Sequence, residues 1–405
     1  MAAPGEQSAL FPELDEPPRL QAVEIGGWPG LGVTVRVDLG GGRTVLVGKN
    51  GAGKSLLLEG ISRAAGAVFS SPFGCPRTFR CEVDIPGRGV IGYEYELYAQ
   101  EPDEDLDLSV RSARARARTQ LWNERCWKVA DGVELWRTAE GVLSVGSAPP
   151  VPIPPTGSLL SLPSEAQEMP VEVEPISDLL SLVGMVPAGV PRTEASARRE
   201  ILVAGSVTAG RRRRWRPSRA PDRAGLLAWR LVTLQDRDPE TYDELVGIVQ
   251  KLGLARDVQI KIYKDPEPDV ADGERQDFAS VLFDEVNVGL LSDGTLRILD
   301  IVINLLGAPG SVLLIEEPET AIHPGLLRKL LALVDAYAID RQVVVSTHSP
   351  IVVDWCKPEE LRLVARVNKA TRVRALSAEE VKRVHAYLDD EGTFADYIYS
   401  RSDEG

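Results

Sequence analysis

The stretch Gly48-Lys49-Asn50-Gly51-Ala52-Gly53-Lys54-Ser55 constrains this chain more than any other. It fits the pattern GxxxxGK[ST] and lies between a strand-like run, "RTVLVG", and an apolar helical run, "SLLLEGISRAA". Such a turn requires a buried strand that delivers it and a helix that carries the chain back across the sheet. Glycines let successive backbone N–H groups converge on phosphate oxygens. The helix starting near Lys54 adds the positive end of its dipole. Lys54 is expected to reach the β- and γ-phosphates, and the Ser55 hydroxyl to ligate Mg²⁺. The predicted binding set is Gly48 through Ser55 together with Leu56. A chance glycine-rich turn is the competing reading, and the flanking strand and helix argue against it.

The surrounding periodicity supports an α/β chain. "LQAVEI", "GVTVRVDL", "FRCEVDI" and "GVIGYEYELYA" alternate apolar and polar positions and read as strands. Residues 225–252 and 296–306 read as helices, and so does 325–338. Residues 258–263 read as a strand, and 311–315 and 342–346 as near-continuously apolar, buried ones. Apolar strands alternating with helices indicate a parallel sheet covered on both faces. Residues 145–175 are rich in Pro, Ser and acidic residues and read as a surface excursion or linker.

Three further segments carry chemistry. Ser311-Val-Leu-Leu-Ile315-Glu316-Glu317-Pro318-Glu319 places carboxylates at the C-terminal edge of a buried strand, where open α/β sheets gather ligands. Glu316 is expected beside Mg²⁺, and Glu317 as the group that orients or deprotonates the attacking water. Leu291-Ser292-Asp293-Gly294-Thr295 opens a helix, either as a phosphate-facing N-terminus or as a simple N-cap. Val343 to Pro350 ends in Ser346-Thr347-His348-Ser349, with His348 just past a buried strand, placed to contact a γ-phosphate.

Together these motifs resemble the ATP-binding-cassette ATPases of the RecF/SMC/OLD branch. "GKNGAGKS" stands as Walker A, "LSDGTLR" as the signature, "VLLIEEPE" as Walker B and "STHSP" as the switch. "AIHP" (Ala321 to Pro324) occupies the place of the D-loop. The resemblance covers about 20–100 and 225–355 well, and 105–220 poorly. It implies an ATPase head with a mixed or parallel core sheet, an N-terminal antiparallel β-subdomain and an inserted, mostly helical subdomain. The expected divisions are a flexible 1–19, a lobe at 20–104, the insertion at 105–224, a second lobe at 225–355 and C-terminal strand and helices at 356–405.

The resemblance also implies ATP sandwiched in a head-to-tail dimer, with Lys54 and Glu317 of one subunit facing Ser292, Asp293 and Gly294 of the other. Two features depart from the family pattern: Glu316 stands where Asp is usual, and no clear Q-loop appears. Gln100, after a strand, is a nominee for that metal-side position, or an ordinary surface residue.

What is missing narrows the role. Ser55 and Ser292 are too close for a long coiled coil, and the 57 residues after His348 are too few for a Toprim nuclease domain. Nuclease chemistry is therefore expected in another protein. The predicted function is a nucleotide-gated ATPase controlling an effector such as a nuclease or toxin, in anti-phage defence. The alternative is a RecF-like DNA-binding clamp.

Composition bears on the partners. Formal net charge is −14, which argues against a whole-surface nucleic-acid binder. The Arg-rich stretches Arg111–Arg118 and Arg211–Arg219 either contact nucleic-acid phosphates, with Trp215 stacking or anchoring, or form solvated faces. No apolar run reaches about 18 residues, so no membrane span is expected. The acidic, Pro-rich start, Met1 to Pro18, lacks the features of a signal peptide, so a cytoplasmic location is expected. Cys75, Cys81, Cys126 and Cys356 form no CxxC pair.

Overall fold

A computed structural model describes residues 16–70, 74–99, 120–154, 157–162, 169–188, 200–208, 214–216, 222–264, 274–307, 310–389 and 392–402. In chain order, β1 (Arg19–Gly26), β2 (Val35–Asp38) and β3 (Arg43–Val47) lead to α1 (Lys54–Ala67). β4 (Thr78–Ile85), β5 (Gly89–Ala99), β6 (Gln120–Lys128), β7 (Glu134–Ala139), β8 (Val142–Val145) and β9 (Val151–Pro152) follow, then α2 (Val173–Ser181) and β10 (Val183–Val186). Next come β11 (Val203–Thr208), β12 (Arg214–Arg216), α3 (Arg223–Arg237), α4 (Pro239–Leu252), β13 (Val258–Lys264), β14 (Glu274–Phe283), β15 (Val286–Asn287) and α5 (Asp293–Leu305). Then β16 (Val312–Glu316), α6 (Pro324–Tyr337), β17 (Gln342–Thr347), α7 (Pro350–Trp355), β18 (Leu361–Val367), β19 (Ala370–Ala375), α8 (Ala378–Asp389) and α9 (Phe394–Ser402) complete the described chain.

These elements form two compact units: Met1–Met185 with Ala308–Glu316 and Ala338–Gly405, and Val186–Gly307 with Glu317–Tyr337. In the first unit, six strands run in the order β10-β16-β17-β3-β18-β19 and eight in the order β2-β1-β4-β5-β6-β7-β8-β9. Strands β16, β17, β3 and β18 are mutually parallel, as the apolar runs predict. The eight-stranded sheet is antiparallel throughout.

Helix α1 lies in the core that these sheets share. Leu57, Leu58, Ile61, Ala64 and Ala65 join one apolar cluster with Leu314 and Val344 of the parallel sheet and Ile25, Phe79 and Tyr95 of the antiparallel one. Full burial of each such large side chain stabilises by about 1.5–3 kcal/mol. The Tyr95 hydroxyl, inside that core, donates to the Ala64 carbonyl at 3.2 Å.

The insertion, expected to be mostly helical, instead widens the antiparallel sheet with β6 to β9. The reason is period-2 patterning in "QLWNERCWK": Trp122, Glu124 and Cys126 turn inward while Arg125 is exposed. Trp127 is covered on the other face by Arg80 and Arg125, whose guanidinium carbons stand 4.6 and 5.2 Å from the ring centroid.

Glu124 is a fully buried carboxylate that ties the Pro-rich excursion down. It accepts from the Tyr93 hydroxyl at 2.7 Å, the Ser158 hydroxyl at 2.5 Å and the Leu159 N–H at 2.7 Å. Leu159 and Leu160 are buried, so this part of the expected surface excursion packs into the core. Burial pushes the Glu124 carboxyl above its ordinary range, with the hydrogen bonds from Ser158, Leu159, Tyr93 and Thr138 pulling the other way.

In the second unit, helices α3 to α6 accompany a sheet of order β12-β11-β14-β13. Capping fixes the helix starts: Asp222 accepts from the Gly225 N–H, and Asp238 from the Thr241 N–H with Pro239 in the first turn. Arg230 reaches Asp300 at 3.4 Å and Asn304 at 3.1 Å, joining α3 to α5. Trp215 is buried against Gly205, so it anchors β12 to β11 rather than offering a stacking face. Arg214 and Arg216 on either side of it are exposed. Arg111–Arg118, Arg211 to Arg213, Arg219 and Gln100 lie outside the described residues.

Candidate functional site

The glycine-rich turn leaves the C-terminal end of β3, the strand between β17 and β18. Two of its glycines are required by geometry. A Cβ at Gly48 would lie 2.0 Å from the Val364 carbonyl oxygen on β18. Gly53 has φ +102°, and a Cβ there would lie 2.4 Å from Thr371 Oγ1. Thr371, on β19, is itself buried and donates its hydroxyl to the Ala52 carbonyl at 3.0 Å. The C-terminal hairpin therefore braces the turn from behind.

Gly53 is the N-cap of α1 and offers no side-chain acceptor, so no side-chain cap occupies the first-turn N–H groups. A left-handed glycine leading into an uncapped helix start presents the donor set that an anion needs. The Lys49, Asn50 and Gly51 part of the turn is exposed, whereas Ala52, Gly53 and Lys54 are buried.

Lys54 reaches back over the turn. Its Nζ lies 2.8 Å from the Gly48 carbonyl oxygen, 3.4 Å from that of Lys49 and 2.6 Å from His348 Nε2. An ammonium only donates, so with Lys54 charged His348 Nε2 accepts and the ring proton sits on Nδ1. The lysine of the turn and the histidine after β17, 294 residues apart in sequence, thus meet at one point.

The acidic strand ends on the same sheet edge. Glu316 is paired in register with Ser346, and Ser346 with Leu46, while Thr347 pairs with Val47, the last residue before the turn. Ser55, Glu316 and His348 all retain some exposure at that edge. Ser346 is fully buried beside Glu316, and its hydroxyl has no hydrogen-bond partner among the described residues. Ser55 and Glu316 are the oxygen-bearing side chains at this edge that could hold a hard cation such as Mg²⁺.

The second unit holds the remaining sequence-predicted residues. Ser292 caps α5, accepting from the Thr295 N–H at 3.1 Å, so the N-cap reading holds for its side chain. Ser292 and Asp293 are exposed. A Cβ at Gly294 would lie 2.2 Å from the Ala321 carbonyl oxygen, so the signature glycine permits close contact with the "AIHP" turn. Glu317 has φ +43° and Ala321 φ +63°, both left-handed and costly for residues with a Cβ. The Glu317 turn is held by the Thr320 N–H, 3.0 Å from the Glu317 carbonyl, and by the Thr320 hydroxyl, 3.3 Å from Oε2.

Thr371 and Tyr399 carry no motif that would mark them. Ser346 lies inside "STHSP", but only the sheet register shows that it sits beside Glu316. Tyr399 donates to the His348 carbonyl at 2.9 Å from the last described helix.

A glycine-rich turn between β3 and α1, with the acidic strand β16 and the histidine strand β17 parallel beside it, is the strand–loop–helix arrangement of a P-loop in an α/β fold. Residues 212–354 match the family model described as "AAA domain, putative AbiEii toxin, Type IV TA system". That segment includes Ser292, Glu316, Glu317 and His348 but not the glycine-rich turn. No curated protein matches the chain in sequence.

Among solved structures, the SMC head bound to the C-winged helix domain of ScpA is similar with a TM-score of 0.44 and 13% identity, over 90% of this chain and 99% of that one. The SMC head domain from Thermotoga maritima is similar at 0.38 and 13%, over 89% and 100%. The Smc head domain with an extended coiled coil bound to the C-terminal domain of ScpA, from Pyrococcus furiosus, is similar at 0.42 and 12%, over 92% and 100%. Among the described residues, no helix is long and apolar enough to cross a membrane.

Proposed function

We propose that this chain hydrolyses ATP as a nucleotide-gated, head-to-tail homodimer and thereby controls a separate effector, a nuclease or toxin, in anti-phage defence. The observation that carries the ATPase reading is the meeting of Lys54 Nζ and His348 Nε2 at 2.6 Å over the glycine-rich turn. A cation and a ring nitrogen aimed at one point, above an uncapped helix start, suit a terminal phosphate.

The turn from Gly48 to Ser55, with Leu56, cradles the phosphates through backbone N–H groups, and Lys54 spans the β- and γ-phosphates. Ser55 and Glu316 would hold Mg²⁺, which offsets phosphate charge when bound. Glu317 accepts the proton of the attacking water as its oxygen bonds to the γ-phosphorus and the bond to the leaving ADP oxygen breaks. When the phosphate draws Lys54 away from Nε2, the His348 ring takes its Nε2–H tautomer and donates a hydrogen bond to the γ-phosphate, keeping it in line. Ser292, Asp293 and Gly294 are supplied by the second subunit. Exposure of Ser292 and Asp293 supports their use at such an interface.

The effector role has support of a different kind. The family model matching residues 212–354 is described with a toxin and a type IV TA system. Nucleic acid as a partner and a cytoplasmic location belong to the same proposal.

The ATPase is tested by phosphate release from the purified chain with ATP and Mg²⁺. Turnover in the wild type that disappears in Lys54→Ala and falls more than about tenfold in His348→Ala is expected. No turnover in the wild type, or equal turnover in Lys54→Ala, would contradict it.

A further inference from the structure

The C-terminal helix α9 is fastened to the switch segment at two points. Its start is held by α7, where Asp354 Oδ1 accepts from the Ala395 N–H at 2.8 Å. Phe394 and Ile398 are buried, which seats the apolar face of the helix. One turn beyond Ala395, the Tyr399 hydroxyl donates to the His348 carbonyl at 2.9 Å. On the other side of that residue, the Ser349 N–H donates to Thr347 Oγ1 at 2.9 Å. The His348 backbone is therefore pinned from α9 while its ring reaches Lys54.

We infer that Tyr399 is a positioning residue for ATP hydrolysis, fixing the His348 main chain so that its imidazole stays aimed at the glycine-rich turn. The inference rests on His348 acting at the γ-phosphate. Tyr399 meets His348 at its main-chain carbonyl, whereas the proposed grip on nucleotide is made by Lys54 and the N–H groups of the turn. Loss of the hydroxyl should therefore act on turnover and leave binding alone. Misplacement of a reacting group by about 1 Å costs up to about a hundredfold in rate, and a single released hydrogen bond should cost about tenfold.

The experiment compares kcat, KM for ATP and melting temperature in wild type, Tyr399→Phe, His348→Ala and Tyr387→Phe. Tyr387 packs against Tyr397 with the rings tilted, at 5.6 Å between centroids, and serves as an aromatic control on α8. The expected result is a kcat about tenfold lower in Tyr399→Phe, with KM within about twofold and melting unchanged. His348→Ala should be slower still, and Tyr387→Phe should match wild type. Wild-type kcat in Tyr399→Phe beside a slow His348→Ala overturns this inference and leaves the ATPase reading standing. A raised KM with lowered melting in Tyr399→Phe shows a structural role only and also overturns it. Wild-type turnover in His348→Ala removes the role of His348 itself, and the inference with it.

Discussion

The Thr371 hydroxyl donates to the Ala52 carbonyl at 3.0 Å, joining a β-hairpin near the end of the chain to the turn that starts α1. The pair is separated by 319 residues. Thr371 is 1% exposed, so no water competes for the bond. The same side chain closes the space over Gly53, which leaves the turn little room to move.

Thr371→Val keeps the shape and removes the donor. A buried carbonyl left without its partner costs about 1–3 kcal/mol. The expected result is a lower melting temperature together with weaker ATP binding by calorimetry, and Thr371→Ser should restore both. Unchanged binding in Thr371→Val would show that the brace does not shape the turn.

Gly48→Ala tests the close approach of β18. The added methyl would meet the Val364 carbonyl at 2.0 Å, and neither group is the tip of a flexible side chain. Overpacking of this kind costs about 1–3 kcal/mol. Denaturant unfolding should show that loss, and nucleotide binding should fall with it.

Ser292→Arg separates binding from assembly. Ser292 is an exposed N-cap, so the variant loses about 1 kcal/mol of helix stability. ATP affinity of the single subunit should survive, while ATP-dependent dimer formation, read by light scattering, should not. An unaffected dimer would remove the signature loop from the interface.

Glu124 makes stability depend on pH in a definite direction. Its carboxyl is held above its ordinary range by burial, so over that interval the folded chain binds more protons than the unfolded chain. Its contribution is therefore largest below the unfolded value of about 4.3 and declines as pH rises through the folded value. The stability of wild type relative to Glu124→Gln should fall as pH is raised from 4 to 7, by urea unfolding at each pH. A difference that grows with pH would mean that the Tyr93, Ser158 and Leu159 donors outweigh burial.

Much of the first unit was legible in residue pattern alone. The turn at Gly48–Ser55 needs a strand before it and a helix after it, and β3 and α1 supply both. The buried strands β16 and β17 declare themselves by unbroken Val, Leu and Ile, which only a sheet covered on both faces tolerates.

Less was legible where partners are distant in sequence. "QLWNERCWK" alternates like a strand, but the charges around it obscure the period, and β6 forms because β5 already offers Tyr93, Tyr95 and Leu97 as its neighbours. Glu124 reads as a surface acid until Ser158 and Leu159 close over it. The Lys54–His348 contact follows from strand order, since β17 is placed beside β3 by pairing that no local pattern encodes. Thr371 and Tyr399 depend in the same way on where the C-terminal elements dock.

The proposed dimer closes on ATP and opens on hydrolysis. The direct measurement is the mass of Glu317→Gln in solution with Mg²⁺ and ATP, set against ADP. Without the proton acceptor the closed form should persist, giving twice the 44.0 kDa of one chain with ATP and a single chain with ADP. A single chain in both nucleotides, or ATP consumed by Glu317→Gln at the wild-type rate, would contradict nucleotide-gated dimerisation.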